Sequence, residues 1–154
     1  MITDVKSQSD IKEMNKFLKG IHMGGSTFKD YLGKSKDPEL KNELTNIIES
    51  FKRHENAITS RIEQLEGNPS DTLGMAGMMA DFFEKIKLIP VNSDLEVCEH
   101  AVNAMKMGIK QGNKFIQENG DLDGSLMKEV RAIVNDYDHH LINIQTIMNK
   151  YRDS

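Results

Sequence analysis

A chain of 154 residues with 20 lysine and arginine against 24 aspartate and glutamate carries a net charge of −4 and a pI near 5.7. That length favours one domain with a core of its own, and the absence of any basic block argues against a nucleic-acid partner. The single cysteine, Cys98, excludes an internal disulfide and suits a cytoplasmic setting, and neither a secretory signal nor a membrane span is expected.

Residues 1–8 are polar and read as a flexible N-terminus, with a single domain over 9–151. A first helix is expected over about 9–33, with the apolar stripe Met14, Leu18, Ile21, Gly25, Phe28 and Leu32. Asp37-Pro38-Glu39 opens a second helix, about 38–66. Asp37 stands at the N-cap and Pro38 in the first turn, and Gly67 is the expected stop. Residues 68–92 form a crossover too long for a tight loop between antiparallel neighbours. It is long enough to travel back along a bundle roughly 40 Å in length. A short amphipathic helix is expected within it at about 75–88. Ser93 and Glu96 make a capping box for a third helix, about 93–119, and a fourth is expected over about 125–151. No sustained period-two alternation marks a strand. The fold class is therefore all-α, a four-helix bundle with one long crossover.

The two halves are copies of one another. His140 follows His54 by 86 positions (140 − 54), and Leu40, Leu44, Ile47, Phe51 and Ile58 recur as Leu126, Val130, Ile133, Tyr137 and Ile144. Upstream, Ile21, Met23 and Gly24 recur as Met105, Met107 and Gly108, now 84 apart (105 − 21). A helical hairpin has been duplicated to give four helices.

Duplicated hairpins with this connectivity resemble the ferritin and rubrerythrin superfamily. The chain is most similar to a branch of small bacterial ferritin-like proteins of uncharacterised role. The resemblance runs from about residue 9 to 151 and includes Lys36-Asp37-Pro38-Glu39-Leu40-Lys41. It implies a dinuclear metal centre in which each half supplies one glutamate from its first helix and Glu-x-x-His from its second. Carried onto this sequence, the four carboxylate positions fall on Ile21, Phe51, Met105 and Tyr137, while the histidines survive as His54 and His140. Two neutral imidazoles cannot offset two buried divalent ions, so the dinuclear centre is expected to be lost and no cofactor is expected. Asp136-x-x-His139 would offer a pattern shifted by one, but both residues lie off the apolar stripe.

The candidate interior polar cluster is therefore His54, His140, Tyr137 and Met105, with the two histidines semi-buried and bonded to each other, to Tyr137 or to water. If any metal binds, His54 and His140 are its expected ligands, with iron or another transition metal as the alternative cofactor. A haem held by one of these histidines and Met105 is chemically conceivable, although no other feature marks a porphyrin site. Gly24, Gly25, Gly108 and Gly112 stand mid-helix, where glycine costs about 1 kcal/mol each relative to alanine. They are expected to make room for the Phe51 and Tyr137 rings, or else to frame a slot for a flat ligand. Met75, Met79, Phe82 and Ile86 give the crossover an apolar face, suited to the bundle's flank, a homodimer or a protein partner. Cys98 reads as a buried structural thiol. Glu49, Glu55, Glu99 and Asp136 read as solvated-face carboxylates.

No hydrolase elbow, phosphate loop, dinucleotide fingerprint or zinc-protease motif is present. The sequence thus leads to a non-catalytic ferritin-like protein that works by binding or assembly. A metal-dependent oxidase or iron-handling protein with an unconventional ligand set around His54 and His140 is the first alternative. A small-molecule carrier using the bundle interior is the second.

Overall fold

The computed structural model describes residues 5–70 and 91–153, which contain four helices and no strand. These are α1 (Val5–Lys34), α2 (Pro38–Gln64), α3 (Asp94–Glu118) and α4 (Gly124–Asp153). Each has one apolar stripe at helical spacing, and the four stripes meet in a single core. Met14, Leu18, Leu40, Leu44, Ile47, Ile58, Ile62, Val97, Cys98, Ala101, Val130 and Ile144 are wholly excluded from solvent there. Within each half the hairpin packs on itself, α1 on α2 and α3 on α4. Between halves α1 meets α3 and α2 meets α4.

All four neighbouring pairs are antiparallel. Phe17 meets Phe115 and Tyr31 meets His100 across α1 and α3. Lys150 reaches Glu39, and Asn143 reaches Glu43, across α4 and α2. The start of α3 is fixed at the α1–α2 loop, where the Asp94 carboxylate accepts from the backbone N–H groups of Lys36 and Asp37 at 2.8 and 3.0 Å. The end of α2 lies at the other end of the bundle, beside Ile11 and Asn15 of α1. The link from α2 to α3 therefore joins opposite ends, which is the ferritin-like arrangement. The short helix expected at 75–88, and its face of Met75, Met79, Phe82 and Ile86, lie outside the described residues.

Several helix ends differ from expectation, each for a visible reason. α1 begins at Val5 rather than near residue 9, because Lys6 pairs with Asp10 one turn on and donates to the Asp121 carbonyl at 2.6 Å. Those contacts hold the first turn against the α3–α4 loop. Asp37 occupies the N-cap of α2 but makes no side-chain cap. Its carboxylate instead accepts from the Tyr151 hydroxyl, so it ties α4 to the loop. At the end of α2 the left-handed residue is Glu66, with φ 66°, and not Gly67. Gly67 is small because a methyl group there would lie 2.7 Å from Ile11 Cγ2. The capping box forms at Ser93, whose hydroxyl accepts from Glu96 N–H. The Glu96 carboxylate returns to Asn92 N–H rather than to Ser93.

Candidate functional site

The middle of the bundle is aromatic. Phe51 of α2 and Tyr137 of α4 are repeat equivalents and meet ring to ring at 5.4 Å, and Phe28 stacks behind Phe51 at 5.7 Å. Ile21 and Met105 are each 1% exposed and Phe51 and Tyr137 6%. All four positions expected from the resemblance thus face inward, and none carries an anionic donor. Burial, with Asp136 nearby, pushes the Tyr137 phenol above its ordinary range, so it stays neutral.

The glycines serve this ring layer unequally. A methyl at Gly24 would lie 2.6 Å from the Phe51 ring, so the ring occupies the notch that glycine leaves. Gly25 and its Phe51 contact at 3.7 Å, and Gly108 and Tyr137 at 3.7 Å, are ordinary van der Waals neighbours. Gly112 makes room for Val134, 2.5 Å from a built methyl, rather than for Tyr137.

Among the described residues, a gap between α1 and α3 borders the buried ring layer. A cleft of about 660 Å³ runs along it, walled by Gly20, Gly24, Gly108 and Gly112 and floored by Ile21, Phe28, Phe51, Met105 and Tyr137. His100 and Asn103 supply polar groups at its rim. Its volume is that of a small-molecule site. Asn15 and His22, which hold Asn68 and Ser70 through hydrogen bonds, are not among its walls.

On the other side of the ring layer, between α2 and α4, lies a polar cluster whose centre the sequence reading missed. Asp136 Oδ2 is 2.7 Å from His54 Nε2 and 3.3 Å from His140 Nε2, and it accepts from the Ser50 hydroxyl. Ser50 and Asp136 are themselves 86 positions apart, so they are repeat equivalents that meet where the halves join. Extending the repeat one residue upstream of Phe51 and Tyr137 would have paired them. Asp136 is consequently no free surface carboxylate, although one third of its side chain is exposed. Burial alone would raise its pKa, but the Ser50 and His54 hydrogen bonds and the nearby imidazoles hold it below the usual carboxylate range. His139 is exposed and takes no part.

The expected cluster of His54, His140, Tyr137 and Met105 is thus divided. The histidines meet at Asp136, not each other, and His54 touches Tyr137 only edge to face, with centroids 6.2 Å apart. Met105 lines the cleft and the histidines do not, so they do not share a cavity as a haem-ligand pair. His22 was also missed. It is 6% exposed, and Nε2 lies 2.9 Å from the Ser70 carbonyl and Nδ1 3.6 Å from Glu55.

The residue types of a hydrolase triad are present, but their wiring is wrong. Ser50 and Asp136 both approach the same nitrogen, His54 Nε2. A catalytic imidazole needs the carboxylate on one nitrogen and the hydroxyl on the other, and Ser50 is only 1% exposed. Cys98 is inert for a related reason. Burial, then Asp94, Asp37 and Glu99, push its thiol up to about 12. As they stand, no three His, Cys, Asp or Glu side chains among the described residues are disposed around a metal-sized point. The Asp136 oxygen itself occupies the place where the two imidazoles converge.

His140 gives the cluster a pH signature. Burial, reinforced by His54 and Arg53 and opposed by Asp136, lowers its pKa below 6.5. The unfolded chain then binds the His140 proton more readily than the folded chain, so stability is fully present above about pH 6.5 and falls as pH drops through the lowered value. Urea midpoints measured from about pH 8 to about pH 5 are expected to decline below 6.5. His140→Gln is expected to flatten that decline. An equally steep fall in the variant would contradict this assignment.

Among solved structures, the chain is similar to a two-domain protein from Anabaena variabilis containing DJ-1/ThiJ/PfpI-like and ferritin-like domains. The two are 16% identical, with a TM-score of 0.75 over 94% of this chain and 40% of the other. The chain spans less than half of that protein's length, and the likeness establishes the ferritin-like fold. No curated protein matches the sequence, and no described helix is long and apolar enough to cross a membrane. The model of one family matches residues 9–118, and the chain accordingly belongs to that family, described as a domain of unknown function, DUF2383.

Proposed function

We propose that this protein is a non-catalytic ferritin-like bundle that acts by binding, with the dinuclear metal centre lost and the cleft between α1 and α3 as the seat of a flat, largely apolar small molecule. The observation that supports this reading is the replacement of carboxylates by Ile21, Phe51, Met105 and Tyr137, which together floor the cleft. Two divalent ions in that low-dielectric space would lack the anionic oxygens that must neutralise them. The same surfaces suit an aromatic or polyene skeleton, because ring faces and glycine backbone allow close planar contact.

Native mass spectrometry on tag-free full-length protein tests this. One organic molecule per chain is expected, released by solvent extraction. No described residue has an atom within 4 Å of a methyl built at Gly20, so Gly20→Leu is expected to fill the cleft, leave the fold intact and lower ligand occupancy at least tenfold. A wild-type protein that carries no organic mass, and binds no planar aromatic probe more tightly than Gly20→Leu does, would overturn the reading.

A further inference from the structure

We infer that His54, Asp136 and His140 form a latent site for a single divalent transition-metal ion, with two imidazole nitrogens and one carboxylate oxygen as ligands. The site lies between α2 and α4, apart from the cleft, and does not depend on the ligand reading above.

Convergence is the first argument. Both Nε2 atoms lie within 3.3 Å of one oxygen, Asp136 Oδ2, from opposite helices. Metal–donor bonds of about 2.0–2.2 Å in a tetrahedral shell place neighbouring donors roughly 3.3 Å apart. The His140–Asp136 separation is already 3.3 Å. The His54–Asp136 separation is 2.7 Å and needs to open by roughly 0.6 Å to admit the ion. As it stands the trio encloses no metal-sized point, so binding requires this opening.

A buried nitrogen without an aligned partner adds to this as the second argument. His140 is 9% exposed, and its Nε2 is buried with no aligned hydrogen-bond partner, although Asp136 lies close. A buried imidazole nitrogen without a partner is costly, and a metal ion would satisfy it. The third argument is access. Asp136 has one third of its side chain exposed and His54 16%, so the carboxylate can swing outward and water can fill a fourth position.

Charge fits one ion and no more. Two neutral imidazoles and one carboxylate leave a single positive charge at a point reached by water only through the Asp136 side, and Phe51 and Tyr137 close the inward side. Ser50, which donates to Asp136, would orient the carboxylate as an outer partner. Arg53 places a positive charge near His140 and opposes the ion, so micromolar rather than tighter affinity is expected. Imidazole with carboxylate selects zinc or a neighbouring first-row ion over magnesium or calcium.

The test is titration of tag-free full-length protein with zinc chloride, read by calorimetry and by NMR of the histidine rings. One zinc per chain is expected, with the His54 and His140 ring signals moving together and those of His22, His100 and His139 unchanged. Asp136→Asn, which keeps the shape, is expected to weaken binding at least tenfold, and His139→Gln to leave it unaltered. No binding at millimolar zinc, equal affinity in Asp136→Asn, or ring shifts centred on other histidines would overturn the proposal. Should Asp136→Asn fail to fold, the wild-type ring signals decide alone.

Discussion

Phe51→Ala is expected to lower the free energy of unfolding by about 3–4 kcal/mol, among the largest effects of any single truncation here. The Phe51 ring is 6% exposed and touches three partners that cannot follow it. Phe28 and Tyr137 press it from two sides, and its edge fills the notch at Gly24. Removing it forfeits apolar burial and two ring contacts, and leaves a void that stiff neighbours close poorly. For a domain of this size that corresponds to a fall of roughly 10 °C in melting temperature. Met107→Ala, at a residue 56% exposed, is the matched control and is expected to stay within about 0.5 kcal/mol of wild type. Calorimetric unfolding of both variants checks the difference; a Phe51→Ala loss below about 1 kcal/mol would mean the ring layer is not the centre of the core.

Gly24→Val is the second large effect, expected at about 2–3 kcal/mol destabilising. A methyl at Gly24 would fall 2.6 Å from Phe51 Cε1 and 2.7 Å from Cζ. The ring cannot retreat, because Phe28 and Tyr137 stand around it. Helix propensity argues the other way, since any side chain improves on glycine in a helix interior, but that gain is at most about 1 kcal/mol. The repeat sharpens the contrast. Gly108 is the equivalent position in the second half, yet a methyl there meets Tyr137 at an ordinary 3.7 Å. Gly108→Ala is therefore expected to stabilise by up to about 1 kcal/mol. Phe51→Leu should cost less in the Gly24→Val background than in wild type, because the smaller side chain relieves the clash. Chemical denaturation of the four variants measures this, and equal effects at Gly24 and Gly108 would refute the asymmetry.

Much of the architecture was legible because it rests on spacing. The stripe of α1, the Ser93 cap, the repeat that pairs Phe51 with Tyr137, and the length of the crossover are all periodic or local signals. The burial of Ile21 and Met105 followed from the same register. What escaped depends on which pairs of helices stand wide or close. Asp136 precedes a buried tyrosine and so reads as outward-facing. It is drawn into the α2–α4 seam because the small Ser50 stands opposite and leaves room for a carboxylate. His22 has no counterpart in the second half, where Lys106 stands at the equivalent place, so the repeat gave no hint of its link to Ser70. Gly67 stands past the end of α2 as expected, yet the left-handed residue there is Glu66, and contact with Ile11, not backbone conformation, requires the glycine.

Chemistry was less legible than shape for the same reason. A dinuclear centre needs four carboxylates in named positions, and the residues at those positions, Ile21, Phe51, Met105 and Tyr137, can be read directly. The four glycines along the cleft between α1 and α3 have separate roles that appear only when the neighbouring side chains are in place. The notches at Gly24 and Gly112 are filled by Phe51 and Val134, whereas no described residue has an atom within 4 Å of a methyl built at Gly20.

A crystal of the full chain soaked in ferrous iron under anaerobic conditions, with anomalous scattering recorded at the iron edge, tests most directly whether this bundle has given up paired-metal chemistry. The account predicts no ion among Ile21, Phe51, Met105 and Tyr137, and at most one ion, at Asp136 between His54 and His140. Two adjacent iron atoms inside the ring layer would contradict it.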